Sequence, residues 1–390
     1  MTGEGVGVSV PPGLGDLPVQ WPARLHPERL AGLAFQTPYR AGDVTVVADR
    51  LIEFNDALRG IDPYYAVTAN PAPEVISTLA GLGAGFQAGS LAELNLLTEQ
   101  GVEGTRVLLG NPVMPGPQLR AAAERQVWRM AFDSEAELLR IAENAPGSCV
   151  CLRLSVAAKP DGRPLGAQPA EARPLMARAR DLGLVPYGLA FHLGTQQAFP
   201  SAWRPALGLT GQVMSELLED GVGLALLDLG GGFPTRYEQD PTEAPELAPI
   251  AEFGRELRKA VDELLPYRPD SLVCEPGRFL VAESSVLVTT VLDRSRRDGT
   301  DWLTLDAGVH QGLAGGQRFP VTTSLRDGPG SLPRPFSLAG PTCDAGDVIA
   351  RDVTLPSGIQ PGDLVMFGST GAYSQAAGYN GFAPPKTLFV

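Results

Sequence analysis

Eight short runs rich in β-branched and aromatic residues alternate with amphipathic segments between residues 63 and 275 of this 390-residue chain. Short apolar runs bounded by turn residues predict strands, and apolar residues recurring every three or four positions predict helices. Eight such units favour a (β/α)8 barrel, because a doubly wound sheet usually closes with fewer. The predicted strands are PYYAV, GFQA, RVLL, VWRMAF, SCVCLRLSV, VPYGLAFHL, LALLDL and SLVCE.

The segments between these strands carry signals that begin and end helices, such as a leading serine or a terminal glycine. The predicted helices are PEVISTLAGLG, SLAELNLLTEQG, SEAELLRIAENA, RPALGLTGQVMSELLEDG and IAEFGRELRKAVDELL.

The residue pattern changes after Arg278, from alternating strands and helices to strands alone. SSVLVTTVL, WLTLDAGV, PFSLAG and GDLVMFG are punctuated by Gly, Pro and Asp and show almost no helical period. This pattern predicts a second, all-β domain. We expect a barrel over residues 41–280 and a β domain built from residues 1–40 and 281–390, of which residues 1–20 form a loose tail.

Charge and cysteine usage narrow the class of partner. The formal net charge is −13, from 31 Lys+Arg and 44 Asp+Glu, which argues against nucleic acid or an anionic membrane and favours a small molecule. Neither a leader peptide nor a run of 18 apolar residues is present, so a cytoplasmic location is expected. The four cysteines show neither CxxC nor secretory spacing, so no disulfide framework or metal site is expected. Of these, Cys149 and Cys151 are predicted to be buried strand thiols.

Uncommon polar residues and glycines fall where the predicted strands end. They are Thr68 after the first strand, Arg153, His192, the glycine run 230–232, and Glu275 after the eighth. The carboxyl ends of the strands form the active-site face of a barrel. The sequence therefore predicts a site that these residues share.

Two of these segments suit a phosphate group. LLDLGGGFP offers backbone amides without side chains after the seventh strand, and CEPGRF places Arg278 after the eighth. Amides and a guanidinium at these two strands are typical of phosphate binding in barrels. A tight turn is the alternative reading of the three glycines, and the GxGxxG spacing of dinucleotide sites is absent.

Glu275 and His192 suit a bound heterocycle. Glu275 could keep a ring nitrogen protonated and so make the ring an electron sink. Alternatively it pairs with Arg153, which needs a buried partner because it lies in an apolar strand. His192 could lie flat on a ring, or could be a barrel histidine with ordinary partners.

Taken together, the motifs resemble the fold type III pyridoxal-phosphate decarboxylases, which include ornithine, diaminopimelate and arginine decarboxylases. The similar segments are YYAV, FHLGTQ, LDLGGGFP, CEPGRFLVAES, GPTCDAGDVIA and GDLVMFGSTGAYSQAAGYNGF, in order over residues 44–390. The resemblance implies decarboxylation of an amino acid at its α carbon, with pyridoxal phosphate as cofactor. It also implies a β domain that recruits the N-terminal segment, and a head-to-tail homodimer with active sites at the interface.

The resemblance assigns roles to matching positions. The phosphate would be held by the glycine run, Arg278 and Tyr373, the pyridine nitrogen by Glu275, and the ring face by His192. Alanine racemases share the barrel but place an arginine at the pyridine nitrogen, so Glu275 favours decarboxylation. The implied cofactor-binding residues are Gly230, Gly231, Gly232, Glu275, Arg278, Tyr373, His192 and Arg153.

Other residues are implied to act on the substrate. Cys343 and Asp344 of GPTCD would enter the partner's site, the cysteine as proton donor to the substrate carbon and the aspartate as substrate contact. Diamine-forming relatives carry an acidic residue after the DAGV-like strand, where this chain offers Gln317 and Arg318. Arg318 would repel a distal ammonium and could pair with a carboxylate, although Asp344 argues the other way. We expect a substrate with a polar or acidic distal group.

One position departs from the family. The family has a lysine that bonds covalently to the cofactor in YAVK, whereas this chain has Thr68 in YAVT, and threonine has no amine. Because Glu275, His192 and Arg278 are all kept, we favour a decarboxylase crippled or trapped by a single change. The alternatives are a natural variant with altered chemistry and a non-catalytic binding or regulatory subunit. Lys159, after the fifth strand, could substitute but is more simply a solvated loop lysine.

Overall fold

The computed structural model describes residues 21–156, 165–237, 247–313, 319–325, 332–374 and 378–390. The chain divides into two compact units. The barrel unit comprises Val47–Thr235 and Pro245–Val281, and the β unit comprises Met1–Val46, Arg236–Ala244 and Ala282–Val390. Over the described ranges, no helix combines the length and apolarity needed to cross a membrane.

The predicted (β/α)8 barrel is confirmed. After β1 (Tyr39–Gly42), which belongs to the β unit, eight parallel strands pair in chain order and close on themselves. Each lies within or beside one of the eight predicted runs. The barrel strands are β2 (Asp62–Ala66), β3 (Gly85–Ala88), β4 (Val107–Leu109), β5 (Arg129–Phe132), β6 (Cys149–Leu154), β7 (Val185–Phe191), β8 (Leu226–Asp228) and β9 (Ser271–Cys274).

Helices connect the barrel strands. Two begin at predicted serine caps: Ser90 Oγ accepts the N–H of Glu93 at 3.2 Å, and Ser134 Oγ accepts that of Glu137 at 3.4 Å. Such caps satisfy amides that have no partner inside the helix. The α-helices within the described ranges are α1 (Pro27–Ala31), α2 (Val44–Ala57), α3 (Pro73–Gly81), α4 (Leu91–Glu99), α5 (Gly116–Glu124), α6 (Glu135–Asn144), α7 (Ala172–Asp181), α8 (Trp203–Glu219), α9 (Ile250–Leu264) and α10 (Arg278–Val281).

An aromatic layer between helices and strands supports one end of β8. Trp203 is fully buried, and its ring centroid lies 5.2 Å from that of Phe233 and 5.7 Å from that of Phe253. The indole Nε1–H donates to the carbonyl oxygen of Leu229 at 3.0 Å. Since aromatic side chains bury large apolar areas, this layer holds the backbone just before the glycine run in place.

The described strands of the β unit, besides β1, are β10 (Ser285–Arg297), β11 (Thr300–Leu305), β12 (Val321–Ser324), β13 (Pro333–Ala339), β14 (Val348–Pro356), β15 (Leu364–Phe367) and β16 (Lys386–Phe389). They form one sheet in which the strand order is β12-β15-β10-β11-β13-β14. β1 joins this sheet through antiparallel pairing with β10 and parallel pairing with β16.

The core of the β unit combines residues from distant parts of the chain. Leu30 and Tyr39 pack with Val288 and Met366 in one buried cluster. Tyr39 also donates its hydroxyl hydrogen to the carbonyl oxygen of Leu30 at 3.1 Å. The segment before the barrel, which contains Leu30 and Tyr39, therefore contributes to the hydrophobic core of the β unit.

Gly211 and Gly208 of α8 provide a matched test of helix packing in the barrel unit. A Cβ at Gly211 would lie 2.1 Å from the carbonyl oxygen of Leu264, whereas one at Gly208 meets nothing within 4 Å. We expect Gly211→Ala to lower the free energy of unfolding by about 1–3 kcal/mol through overpacking. Gly208→Ala should raise it by about 0.5–1 kcal/mol, since alanine is the better helix former. Urea denaturation measures both, and equal destabilisation by the two variants would contradict this packing.

Candidate active site

Thr68 lies at the mouth of the barrel. It is an exposed residue in the single 3-10 turn Val67–Ala69, directly after β2. The N–H of Ala66 donates to the carbonyl oxygen of Pro276 at 3.1 Å. The end of β2 is thus bonded to the loop that follows β9 and carries Glu275, so Thr68 and Glu275 belong to the same face of the barrel.

Three further strand ends are joined around the glycine run. The N–H of Gly231 donates to Nδ1 of His192 at 3.3 Å, and that of Gly230 donates to Oδ1 of Asp228 at 2.8 Å. The N–H of Glu275 donates to the carbonyl oxygen of Gly230 at 2.9 Å. Because Nδ1 of His192 accepts, the neutral ring carries its proton on Nε2. The loops after β7, β8 and β9 therefore form one hydrogen-bonded unit.

All three positions of the glycine run exclude a side chain. Gly230 and Gly232 have φ of 66° and 101°. A Cβ at Gly230 would lie 2.1 Å from the carbonyl oxygen of Phe191, and one at Gly231 would lie 2.6 Å from that of Glu275. The run therefore presents bare backbone at the mouth, which suits the close approach of an anionic group.

A small cavity brings several predicted residues together. Its volume is about 20 Å³, enough for one water molecule. Its walls include Arg153, His192 and Glu275, as expected, and also Asp228, which our sequence interpretation missed. The available signal was an acidic residue at the end of an apolar strand, directly before the glycines of LDLGGG.

The two carboxyl groups of this cavity, Asp228 and Glu275, perturb each other. Burial is the main cause that raises the pKa of Asp228, to about 6, and the N–H of Gly230 opposes it. Burial first, then repulsion by Asp228, raises the pKa of Glu275 well above its ordinary value. The charge of Arg153 lowers the pKa of both groups. Neighbouring buried carboxyls of this kind do not both ionise readily, and they titrate as a pair.

The structure also shows the burial of three other barrel residues discussed from the sequence. Arg278 is buried, with 9% of its surface exposed, and begins α10 three residues after Glu275. Cys151 is buried as predicted, whereas Cys149 is only partly buried. Burial raises the pKa of both thiols, so neither is a ready nucleophile.

Asp344 and Cys343 lie on a loop of the β unit. Cys343 is exposed. Oδ2 of Asp344 lies 2.9 Å from Nε2 of His310, and Oδ1 accepts the N–H of Gly346 at 2.8 Å. These two contacts, the amide first, lower the pKa of Asp344. The ring of His310 stacks on that of Tyr379 at 4.1 Å with an interplanar angle of 9°.

Asp347 anchors this loop and was also missed by sequence reasoning. Its buried carboxylate accepts the N–H of Val309 at 2.8 Å and the hydroxyl of Thr342 at 2.6 Å. It therefore ties the loop that carries Cys343 to the turn that carries His310. The repeated Asp in GPTCDAGD was the available signal.

Tyr373, also in the β unit, is exposed and has φ of 55°. Three residues named from the sequence, Lys159, Gln317 and Arg318, lie outside the described part of the chain.

The fold and this site are typical of one class of protein, the barrel enzymes whose active sites lie at the carboxyl ends of the strands. The profile of the family described as pyridoxal-dependent decarboxylase, pyridoxal binding domain, matches residues 44–282. The chain belongs to this family, whose members are pyridoxal-phosphate-dependent lyases.

Similar proteins cover nearly the whole chain. The lysine/ornithine decarboxylase of Selenomonas ruminantium is 33% identical over 359 residues, which span 90% of this chain and 89% of the relative. A crystal structure of SrLDC with pyridoxal phosphate and cadaverine superposes with a TM-score of 0.85 at 31% identity, covering 94% of both chains. The lysine/ornithine decarboxylase of Vibrio vulnificus, complexed with cadaverine, gives a TM-score of 0.86 at 29% identity, covering 95% of this chain and 100% of the other.

The residues of the mouth fit pyridoxal phosphate. Bare glycine backbone together with a buried arginine suits a phosphate group. An imidazole and a carboxyl group that line one cavity suit the face and the nitrogen of a pyridine ring. The predicted family, fold class and cofactor are thus confirmed.

Proposed function

We propose that this chain is an amino-acid decarboxylase whose turnover is crippled or trapped because Thr68 stands at the position of the cofactor-binding lysine. The observation that carries the proposal is the position of Thr68. It follows β2 at the barrel mouth and is tied through Ala66 and Pro276 to the loop of Glu275. The proposal is further supported by one cavity of the barrel, which Arg153, His192 and Glu275 line together.

When bound, pyridoxal phosphate supplies an electron-withdrawing ring that accepts the electrons of the bond to the departing carboxylate. By the family resemblance, the glycine run and Arg278 would hold the phosphate, with Tyr373 as a further contact. Glu275 would hold a proton for the ring nitrogen, and His192 would orient the ring. Thr68 can neither hold the cofactor covalently nor transfer it to a substrate amine.

The competing function is a non-catalytic subunit, or a variant with altered chemistry, that binds the cofactor together with an amine. The present geometry suits binding in both cases. The two functions differ in what happens when an amine is restored at position 68, because only a crippled enzyme regains turnover.

We expect the chain to bind pyridoxal phosphate without a covalent bond, because Thr68 offers no amine and we expect no lysine elsewhere in the chain to substitute for it. Thr68→Lys should shift the visible absorption band of the bound cofactor, because the cofactor bonds to the new amine, and should restore decarboxylation, measured as CO₂ release from a panel of amino acids. Thr68→Met, similar in length but without an amine, is the matched control and should keep the absorption of the free aldehyde and remain inactive.

Borohydride reduction followed by peptide mass mapping locates any covalent bond. A pyridoxyl group on Lys159 of the unaltered chain would overturn the claim that no lysine substitutes. A Thr68→Lys protein that bonds the cofactor covalently but releases no CO₂ would support the non-catalytic subunit instead.

We further propose a two-fold homodimer in which Cys343 and Asp344 complete the active site of the other subunit. Cys343 is exposed and held on an anchored loop, as a group that reaches out of its own chain should be. Cys343 would return a proton to the substrate carbon after the carboxylate has left. The family resemblance places this loop at the interface, and two-fold symmetry would build both sites at once.

Subunit mixing tests this arrangement in the Thr68→Lys background. Cys343→Ala and Glu275→Ala chains should each be nearly inactive as homodimers, because each lacks a group in both sites. A mixed dimer should regain up to about a quarter of the activity in an equimolar mixture, since half of the dimers are mixed and each has one intact site. Absence of recovery, with exchange proven by mass spectrometry, would place both residues in the site of one subunit.

The distal end of the substrate is recognised, we propose, by Asp344 of the partner together with Arg318. The named relatives act on lysine or ornithine. In this chain the carboxylate of Asp344 is already engaged by His310 and by the amide of Gly346, which reduces its attraction for another cation. A guanidinium at Arg318 would add repulsion. A polar or acidic distal group is therefore favoured.

Titration of the cofactor complex with ornithine, lysine, arginine, glutamate and diaminopimelate measures this preference through the visible absorbance. We expect glutamate or diaminopimelate to bind at least about tenfold more tightly than ornithine, equivalent to about 1.4 kcal/mol. Arg318→Ala should narrow that difference. Tightest binding by ornithine or lysine, unchanged in Arg318→Ala, would refute the role of Arg318.

A further inference from the structure

Asp228 is a buried acid to which the reaction described above assigns no part. It ends β8 with 1% of its surface exposed. Oδ1 accepts the N–H of Gly230 at 2.8 Å, while Oδ2 meets no donor among the described residues. The carboxyl group of Glu275 lies beside it in the same cavity.

The chemistry of two adjoining carboxyls explains the unpaired oxygen. An ionised carboxylate only accepts hydrogen bonds, so two of them in contact leave their facing oxygens without donors. One proton on Glu275 converts the contact into an O–H···O bond to Asp228. An isolated buried acceptor is costly, so the protonated pair is the stable form.

The charged and titratable surroundings agree with a single shared proton. The positive charge of Arg153 on β6 lowers the pKa of both acids, and that of Arg129 on β5 lowers the pKa of Asp228 to a smaller extent. Other titratable groups near the two acids, among the residues that the structure describes, include His192 and the buried thiols Cys151 and Cys274. With one proton, the acid pair carries a single negative charge, which Arg153 balances.

We propose that Asp228 is a positioning residue that shares one proton with Glu275 and so keeps Glu275 in its acid form until a pyridine nitrogen takes that proton. This inference rests on the proposed function of the site. In the transfer, the O–H bond of Glu275 breaks and an N–H bond forms at the ring nitrogen, while the electron pair stays on the carboxylate. The two carboxylates then face Arg153 and the pyridinium, so the site is neutral before and after.

Asp228 has a second effect through the backbone. Its Oδ1 holds the N–H of Gly230, and Gly230 in turn accepts the N–H of Glu275. The side chain of Asp228 therefore holds in position both the glycine run, which is proposed to bind the phosphate, and Glu275, which is proposed to contact the ring nitrogen. The raised pKa of each acid is consistent with this arrangement.

Carboxyl titration of the cofactor-free protein tests the shared proton directly. Side-chain ¹³C labels on Asp and Glu report each ionisation by NMR between pH 4 and pH 8. In the unaltered chain, the carboxyl signals of Asp228 and Glu275 should shift together as the pH changes. The pair should release its last proton at a pH well above that at which carboxyl groups ordinarily ionise. In Asp228→Asn the pKa of Glu275 should fall by at least about one unit, because the amide oxygen still accepts from Gly230 while the amide hydrogens favour ionised Glu275.

Two further variants make the titration decisive. Glu275→Gln should lower the pKa of Asp228 by a comparable amount, and it gives the same answer if Asp228→Asn does not fold. Glu137→Gln removes another buried carboxyl, which pairs with Arg140 outside this cavity, and should leave Glu275 unchanged. Ordinary titration of Glu275 in the unaltered chain, or no change of it in Asp228→Asn, would overturn the shared proton.

Cofactor binding separates this inference from the proposed function. The affinity of Asp228→Asn for pyridoxal phosphate at pH 5, where the ring arrives protonated, should stay within about threefold of the unaltered chain, because the glycine run keeps its anchor. As the pH rises, its affinity should weaken more steeply, since no acid remains to protonate the ring. Identical pH profiles would refute the inference. Absence of binding in every variant, with the expected titrations, would refute the proposed function alone.

Discussion

Closure of the barrel between β2 and β9 is the constraint on which the site depends. The two strands pair at Asp62 with Val273, and the contact continues as a hydrogen bond from Ala66 to Pro276. Without this closure, Thr68 and Glu275 would lie at opposite edges of an open sheet. With it, the loops after β2, β7, β8 and β9 meet at one mouth, where their backbones bond to one another.

Placing charge inside this mouth opposes folding, and the surrounding structure compensates. Burial of Asp228 and Glu275 penalises their ionised forms, and the charge of Arg153 offsets part of that cost for both acids. The apolar layer around Trp203 holds the end of β8 in position through the carbonyl of Leu229. Hydrophobic burial outside the barrel thus fixes the geometry of polar groups inside it, which is what a preorganised site requires.

Much of this architecture was predictable from local pattern. All eight barrel strands, and helices such as α4, α6 and α9, follow from runs of apolar residues and their caps. The strands that our interpretation missed are β1, β12, β14 and β16. β1 and β16 are four residues each, and their pairing joins Tyr39 to Val288 and Lys386. Segments as short as β1 and β16 carry little periodicity, so their strand character arises from partners far along the chain.

The sequence by itself determined the order of strand–helix units, the presence of three consecutive glycines after the seventh barrel strand, and the absence of an amine at position 68. These are properties of composition and of spacing within a few residues. Only the tertiary structure decided that Asp228 adjoins Glu275, and that Asp347 anchors the loop of Asp344 beside His310. The physical reason is distance along the chain: residues more than thirty positions apart become neighbours through strand pairing and loop closure, which no local pattern encodes.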